Sequence, residues 1–550
     1  MKKIALLLFS AIAAMSFVAG GREFGNLTPE QRISLTAEII DNYYVEGVNM
    51  DSIADQAIIA MLTALDPHSQ YTTAEETRQL NQPLEGKFYG IGIQFNLLED
   101  TVYVIQTTPG GPCARAGVMP GDRIVYANDT LIAGQKLGNS GIISRLRGPE
   151  GSKVTIKVKR EGFDELLPFE LFRAEIPLYS VDAAYMVDKN VGYISITRFA
   201  ETTDQEVCQA ADSLMRCGMK HLIIDLSSNG GGYLQSAVDL ANEFLQKGDP
   251  IVFTRGQNSP ERHYGATSNG SLRRIDRLVV MVDQYSASAA EILAGAIQDN
   301  DRGLVVGRRT FGKGLVQRPF PFPDGSMIRL TTARYYTPSG RCIQKPYVKG
   351  QGEEYQLDML NRYNSGELWC ADSIRLDTTE TFYTLRNRRP VYGGGGIMPD
   401  IFVPVDTSRV SPYYRQLSGK SIILKTVFKY IEQNRDQLVA QYPDEATFAS
   451  NFQIPEELDK ALIDRATEAG IEFVEEDWAR SKEFIHAMML GLLTRDIYPK
   501  GIYVRATNPI NPDFLQALEI IRDPARYKHI LTNQPIAAGG FANSDKKSDK

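Results

Sequence analysis

A serine and a lysine that could together hydrolyse an amide bond lie close in this sequence. Ser288 stands among small residues in the segment 285–291, and Lys313 follows later between two glycines. The chain has five histidines, and none lies between Ser288 and Gln317. A serine nucleophile needs a base to accept its proton, and a lysine kept neutral by burial can act as that base. The pair therefore suggests a Ser–Lys hydrolytic site.

Gln317 follows Lys313 closely and could orient its amine. A neutral amide suits this task better than a carboxylate, because a carboxylate would keep the lysine protonated. Each residue also has an ordinary interpretation when taken singly, Lys313 as a surface charge and Gln317 as a polar strand residue.

The elements around Ser288 would place it at the edge of a sheet. Apolar runs at 222–226 and 279–283 read as buried strands, and they lead into the turn 230–232 and the serine turn. Strands alternating with helices over 186–345 predict a mainly parallel sheet with crossovers. Both turns would then lie at carboxyl ends of strands. The amide of Ala289 and that of Gly231 or Gly232 could stabilise an oxyanion there.

Upstream of this region the sequence predicts two further parts. Residues 28–83 read as helical, with a cap and first-turn proline at Thr28-Pro29 and a stop at Asp66-Pro67. Residues 84–173 change to strand periodicity with glycine turns. Glycines at 90 and 92 could let backbone N–H groups converge on a carboxylate, although a simple β-turn would use the same residues. The predicted loop consists of Tyr89, Gly90, Ile91 and Gly92.

Downstream, an α/β domain is expected over 174–405, with a polar, irregular insert at 346–396 and a strand returning to the core at 397–403. Residues 410–535 read as a helical region, with candidate helices at 412–440, 455–469, 475–496 and 513–531, and no catalytic constellation. The tail 540–550 is predicted to be disordered.

Composition excludes some functions and the N-terminus suggests a location. The net charge of −7 argues against nucleic-acid binding. The five cysteines form no CxxC pair, so no metal site is predicted. No cofactor is predicted either. For the cysteines themselves, disulfides 208/217 and 342/370 and small buried thiols are alternative interpretations. Lys2-Lys3 and the apolar run 4–18 read as a signal peptide over 1–20, which predicts an exported, periplasmic protein, unless the segment stays as a membrane anchor.

The order of motifs resembles the carboxyl-terminal processing proteases, also called tail-specific proteases, over roughly residues 28–405. The matching segments are Leu65–Tyr71, a PDZ-like module at 84–173, Asp225–Leu226 with Asn229–Gly232, Ser286–Glu291, Thr310–Gly314 with Gln317, and Gly396–Asp400. The resemblance implies a multidomain α/β protein with a crotonase/ClpP-like core and an inserted, mostly-β PDZ domain between helical regions. It implies Ser288 as nucleophile, Lys313 as general base, Gln317 as its orienter, and Ala289 with Gly231 or Gly232 as oxyanion hole.

Several residues depart from the family pattern or invite other roles. Ser227-Ser228 stands where relatives often have arginine-asparagine, and Ala290 where they often have serine; neither position belongs to the proposed catalytic group. Asp299 is interpreted as a cap or a core ion pair, and Glu291 as structural. His68 is interpreted as a structural residue at a helix end.

The sequence supports two candidate functions for this protein. The first is an exported serine endopeptidase that captures substrate C-terminal tails through its PDZ domain and cleaves through an acyl-enzyme. The alternative is a non-catalytic PDZ peptide-binding adaptor on a protease fold. Protein or peptide tails are the expected partners; an adaptor protein and a second copy of the chain are further candidates. The sequence leaves open whether the PDZ domain blocks the active site or delivers substrate to it.

Overall fold

The computed structural model describes residues 27–374, 381–498 and 502–532. The described residues fall into two compact units, which divide between Leu65 and Asp66. The predicted signal segment 1–20 and the predicted disordered tail 540–550 lie outside the described residues. Within those residues, no helix combines the length and apolar character needed to cross a membrane.

The first unit contains the two helices that the sequence predicts. Helix α1 (Pro29–Tyr43) begins after Thr28, whose Oγ1 accepts a hydrogen bond from the Gln31 amide while the Gln31 side chain accepts one from the Thr28 amide. This reciprocal capping fixes the start of the helix. Helix α2 (Met50–Thr63) follows and is capped by Asn49.

The second unit begins with strand β1 (Gln70–Thr72) and helix α3 (Ala74–Glu85), and then enters an antiparallel module. Its elements are β2 (Lys87–Gly90), β3 (Ile93–Leu98), β4 (Thr101–Thr107), α4 (Pro112–Ala116), β5 (Arg123–Ala127), β6 (Thr130–Leu131), α5 (Gly138–Leu146), β7 (Lys153–Lys159), β8 (Leu167–Phe172) and β9 (Ala174–Pro177). The main sheet has the order β3-β4-β5-β7-β8, so β3 lies at an edge. Strands β2 and β9 pair antiparallel as a two-stranded neck between this module and the rest of the unit.

A second run of elements builds the α/β domain. They are β10 (Val181–Met186), β11 (Val191–Ile196), α6 (Thr203–Arg216), β12 (His221–Asp225), α7 (Leu234–Phe244), β13 (Pro250–Gly256), β14 (Ser259–Gly265), β15 (Leu278–Val282), α8 (Ala289–Asp299), β16 (Leu304–Gly307), β17 (Leu315–Pro321), β18 (Met327–Tyr336), α9 (Gly352–Gln356), α10 (Asp358–Asn364), β19 (Thr381–Tyr383), β20 (Pro390–Tyr392) and β21 (Ile401–Phe402).

Six of these strands form the central sheet, in the order β10-β11-β12-β15-β16-β21. All neighbours from β11 to β21 are parallel and only β10 is antiparallel, which confirms the predicted mainly parallel sheet. Every residue of β12 and β15 is buried, as expected for parallel strands covered on both faces. Helix α8 is buried on all sides, and its sequence is correspondingly rich in alanine, isoleucine and leucine.

A smaller sheet carries part of the site. It has the order β1-β18-β13-β14, with β17 paired to β18 as a hairpin. In that hairpin Gln317 lies opposite Thr331. In the insert at 346–396, the described residues form short elements: α9, α10 and the β19–β20 pair. Strand β21 is the predicted strand that returns to the core beside β16.

The predicted helical region at 410–535 divides into two parts. Helices α11 (Pro412–Gly419), α12 (Ile422–Gln441), α13 (Glu445–Asn451), α14 (Glu456–Glu468) and α15 (Glu475–Ile497) share an apolar core of their own. Helices α16 (Tyr503–Thr507), α17 (Pro512–Arg522) and α18 (Pro524–Thr532) form a second group. Phe514 and Ile521 of α17 pack on Tyr193 and Val279 of the central sheet. Sequence periodicity did not distinguish the two parts, because both are amphipathic.

Candidate active site

Ser288 lies where strand β15 gives way to helix α8. Its backbone has φ of 57°, in the left-handed region, which costs a serine on the order of 1–3 kcal/mol. The turn before it is held by Asp283, whose Oδ1 accepts hydrogen bonds from the amides of Tyr285 (2.9 Å) and Ser286 (3.0 Å). The sharp turn leaves Ser288 partly exposed at the carboxyl end of the sheet.

The turn after β12 lies directly against the serine turn, as the sequence predicted from the two buried strands. The Ala287 amide donates to the Asn229 carbonyl (2.9 Å), and the Ser286 hydroxyl donates to the Leu226 carbonyl (2.8 Å). A Cβ atom on Gly231 would lie 2.7 Å from the Cβ atom of Ser288. Only glycine permits this approach, at a φ of 99°.

Two amides of these turns are available to an incoming oxyanion. Ala289 is the first residue of α8, where an N–H group has no partner within the helix. The Gly231 amide already donates to Asn229 Oδ1 (2.9 Å). No hydrogen bond among the described residues uses the amide of Gly232. Gly232 is therefore better placed than Gly231 to be the second donor.

Glu291 ties the serine turn to the lysine loop. Its buried carboxylate accepts hydrogen bonds from the amides of Ser288 (2.8 Å), Lys313 (2.8 Å) and Gly312 (2.7 Å), and from the Thr310 hydroxyl. Burial raises the pKa of Glu291 above its ordinary value, although these hydrogen bonds lower it in part. The predicted structural role is confirmed, and its scope is wider than expected, because one side chain fixes the backbone of both Ser288 and Lys313.

The amine of Lys313 meets the amide of Gln317. Lys313 Nζ donates to Gln317 Oε1 at 3.0 Å. Burial is the main cause that lowers the pKa of Lys313, and Arg329 lowers it further. Glu291 and Asp66 act in the opposite direction and raise that pKa. The net effect is a pKa below that of a free lysine, so the neutral amine, which can accept a proton, is more populated than it would be in an exposed lysine.

The serine and lysine side chains are not joined directly in this state. Both residues are among those that the structure describes, and no hydrogen bond links Ser288 Oγ to Lys313 Nζ. Catalytic hydrogen bonds are often long before substrate binds and tighten in the complex. The structure thus brings together the backbones of Ser288, Ala289, Gly231 and Lys313, and the side chains of Lys313 and Gln317.

Sequence reasoning missed the partner that holds Gln317. Its Nε2 donates to the main-chain carbonyl of His68, a residue 249 positions away in the sequence. The imidazole of His68 is hydrogen-bonded to the hydroxyl of Tyr355 (2.8 Å). Burial, with help from Lys313, lowers the pKa of His68 to about 4, so the ring is neutral near pH 7. The contact with Gln317 is made by the backbone of His68, and periodicity and motif spacing do not reveal backbone contacts.

Asp299 forms the core ion pair that the sequence suggested. Its Oδ1 lies 2.7 Å from Arg341 Nη2, and both side chains are fully buried. Its other oxygen accepts a hydrogen bond from the Ser339 amide (3.0 Å). The residue closes the carboxyl end of α8, at the far end of the helix from Ser288.

The predicted carboxylate loop belongs to the antiparallel module. Tyr89 and Gly90 are the last residues of β2, so the loop itself consists of Ile91 and Gly92 before the edge strand β3. The Cys113 amide donates to the Ile91 carbonyl (3.0 Å) and the Thr108 amide to the Gly92 carbonyl (2.9 Å). These bonds hold the loop while using only its carbonyl groups.

Comparison with known proteins identifies the modules. Residues 190–351 match the peptidase family S41, residues 90–171 match the PDZ domain, and residues 413–499 match a family of unknown function. The carboxy-terminal processing protease CtpB of Bacillus subtilis (strain 168) is 33% identical over 349 residues, which cover 63% of this chain and 71% of that protein. The carboxy-terminal-processing protease of Bartonella bacilliformis is 34% identical over 311 residues, covering 56% and 70%.

Among solved structures, the photosystem II D1 C-terminal processing protease aligns with 58% of this chain and 91% of its own, at 28% identity and a TM-score of 0.33. The family models define a serine-type peptidase, a hydrolase, with a PDZ domain and a mixed α/β, multidomain fold. By its sequence relatives, the chain belongs to the carboxy-terminal processing protease family. The resemblance seen in the sequence motifs is confirmed.

Proposed function

We propose that this protein is an exported endopeptidase that cleaves peptide bonds with Ser288 as nucleophile and Lys313 as general base. The observation that supports this most is the lysine amine, which is held by a neutral amide in a loop fixed to the serine turn by Glu291. Burial lowers the pKa of this amine below that of a free lysine, about 10.4, and so enlarges the neutral fraction that can take the serine proton.

The reaction has two halves. Ser288 Oγ bonds to the substrate carbonyl carbon as its proton moves to Lys313 Nζ. The C–N bond then breaks, the amine product takes that proton, and an acyl-enzyme ester remains. A water molecule attacks the ester and gives a proton to Lys313. The ester bond breaks, the serine oxygen recovers the proton, and the acid product leaves.

The oxyanion of each tetrahedral intermediate would be stabilised by two backbone amides. Ala289 supplies one of them, since it sits at the positive end of the α8 dipole. We assign the second to Gly232, because the amide of Gly231 is already bonded to Asn229. Such donors commonly contribute about 100-fold or more each to kcat.

Substrate tails would be captured by the PDZ domain. We propose that a C-terminal carboxylate accepts hydrogen bonds from the amides of Ile91 and Gly92. The peptide would extend along β3, which is an edge strand with room for another. Protein or peptide tails are thus the proposed partners, and an adaptor protein and a second copy of the chain are further candidates.

The N-terminal segment is the feature that supports export to the periplasm. Lys2-Lys3 and the apolar run that follows are typical of a secretory signal. Fractionation of the native cell with N-terminal sequencing of the mature protein tests this. Recovery of the intact N-terminus in the cytoplasm would contradict it, and recovery in the membrane would indicate an uncleaved anchor.

The direct test of the chemistry compares Ser288→Ala and Lys313→Ala with the unchanged protein on a peptide substrate. We expect each variant to lose at least about 1000-fold in kcat, because nucleophile and base act as a unit. Lys349→Ala, an exposed lysine, serves as the matched control and should keep full activity. Near-normal turnover by Lys313→Ala would refute the assigned base. Failure of an active-site probe to label Ser288 would favour the non-catalytic adaptor.

A further inference from the structure

A tight turn at residues 66–69 faces the amide of Gln317. Within the turn, Asp66 Oδ1 accepts hydrogen bonds from the amides of His68 and Ser69, both at 2.9 Å. The Ser69 hydroxyl donates to Asp66 Oδ2 at 2.5 Å. The side chains of Asp66 and Ser69 are buried, although both are polar. This set of bonds fixes the direction in which the His68 carbonyl points.

The same two side chains dock the turn onto the β17–β18 hairpin. The Thr331 hydroxyl donates to Asp66 Oδ1 (3.0 Å), and the Thr331 amide donates to Ser69 Oγ (3.1 Å). Thr331 is the cross-strand neighbour of Gln317. The turn is therefore anchored at the residue opposite Gln317, which brings the His68 carbonyl onto the Gln317 side chain.

The chemistry of the His68 carbonyl selects one orientation of the Gln317 amide. A carbonyl oxygen can only accept a hydrogen bond, so the nitrogen of the glutamine amide must face it. The oxygen of that amide is then directed to Lys313 Nζ. The reverse orientation would set two carbonyl oxygens against each other and turn N–H donors toward the lysine amine.

We propose that Asp66 and Ser69 are positioning residues for peptide hydrolysis. They hold the His68 carbonyl, which orients the Gln317 amide, which in turn aligns the amine of Lys313. This inference rests on the proposed function, in which Lys313 is the base. Both residues position Lys313 through Gln317. The Asp66 carboxylate also raises the pKa of Lys313 directly, so kcat is compared on its pH-independent plateau, where that effect on protonation no longer counts.

A double-mutant cycle in the full chain tests the proposal. The variants are Asp66→Ala, Gln317→Ala and the double variant, compared by kcat and KM on one peptide substrate. We expect each single change to lower kcat about tenfold or more with little change in KM, since a buried hydrogen bond to a catalytic group is lost. If Asp66 acts through Gln317, the double variant has a kcat within about twofold of Gln317→Ala. Losses that multiply would overturn the proposal.

A matched control lies at the other end of the same hairpin. Asp324 Oδ1 accepts hydrogen bonds from the amide (2.9 Å) and the hydroxyl (2.7 Å) of Ser326, in a turn of similar design that makes no hydrogen bond to Gln317. We expect Asp324→Ala to leave kcat unchanged. An equal loss of kcat in Asp324→Ala would show a general effect on the hairpin and overturn the proposal.

If thermal unfolding shows that Asp66→Ala does not fold, Ser69→Ala replaces it in the same double-mutant cycle with Gln317→Ala. It removes one hydroxyl and leaves the Asp66 contacts with the two amides in place. Lys313→Ala distinguishes a failure of the catalytic dyad from a failure of the positioning role. Retained turnover in that variant refutes the catalytic dyad, whereas its inactivity together with multiplying losses in the cycle refutes only the positioning role.

Discussion

The protonation state of Lys313 decides whether it can serve as a base. Burial lowers its pKa most strongly. Among the charged neighbours, Arg329 lowers the pKa further, while Glu291 and Asp66 raise it. Because only the neutral amine accepts a proton, activity should fall as the pH drops through the pKa of Lys313. Arg329 is the neighbour whose removal tests this balance, because it does not hold the backbone of the site.

Replacing Arg329 with glutamine should move the acidic limb of the pH profile to higher pH. Loss of the cation removes an unfavourable interaction with the protonated lysine, so the pKa of Lys313 rises. The measurement is kcat/KM against pH for a neutral peptide substrate. Arg329→Lys is the control, since it keeps a positive charge and should leave the limb in place. A shift to lower pH in Arg329→Gln would contradict the assignment of Lys313 to that limb.

At the scale of elements, the site depends on two turns that follow parallel strands. Strands β12 and β15 are neighbours in the central sheet, so their carboxyl ends meet at one edge. The turns are joined by hydrogen bonds and by the close approach of Gly231 to Ser288. A small movement of either turn would displace Ser288 from the amides that we propose as oxyanion donors.

Gly231→Ala should therefore lower kcat by about 100-fold, the loss typical of a 1 Å displacement in a catalytic site. The new Cβ atom would lie 2.8 Å from the Ala287 carbonyl oxygen, and the residue would keep a positive φ that alanine disfavours. Gly230→Ala is the matched control, because no atom lies within 4 Å of a Cβ atom placed there. We expect it to change kcat about twofold or less. Equal losses in both variants would refute the steric argument.

At the scale of the whole molecule, the PDZ domain contacts the rest of its unit at several points, including its neck and the C-terminal helices. Its β2–β9 neck places Gly90 opposite Ala174. On another side it meets the C-terminal helices: the ring of Tyr103 packs edge-on against Phe428, with centroids 4.6 Å apart, and Arg123 pairs with Glu432. The PDZ domain, which we expect to bind substrate tails, thus packs against helices of the segment 413–499, which matches a family of unknown function.

The neck offers a defined way to remove the PDZ domain. Residues 91–173 can be replaced by Asn-Gly, a two-residue connection that suits an antiparallel hairpin between Gly90 and Ala174. We expect kcat on a short peptide to stay within about tenfold, because the contacts of Ser288, Lys313 and Gln317 lie outside the deleted segment.

For a protein with a free C-terminal tail we expect the same deletion to raise KM about tenfold or more, which corresponds to losing about 1.4 kcal/mol of binding. The same protein with an amidated C-terminus is the control, and its cleavage should change less. A rise in kcat/KM on both proteins would instead indicate that the PDZ domain obstructs the active site.

The sequence by itself determined the parts whose signals are local. Small residues around Ser288, glycines around Lys313 and apolar runs before each turn predicted the candidate site and its place at the sheet edge, because strand burial and turn formation are set by neighbouring residues. The order of motifs also separated the PDZ domain from the α/β domain. Only the tertiary structure decided how these parts are held. The His68 carbonyl meets Gln317 across 249 positions, and Asp513 of α17 pairs with Arg308 across 205. Such contacts depend on which strands and helices become neighbours, and a backbone carbonyl has no signature in the sequence.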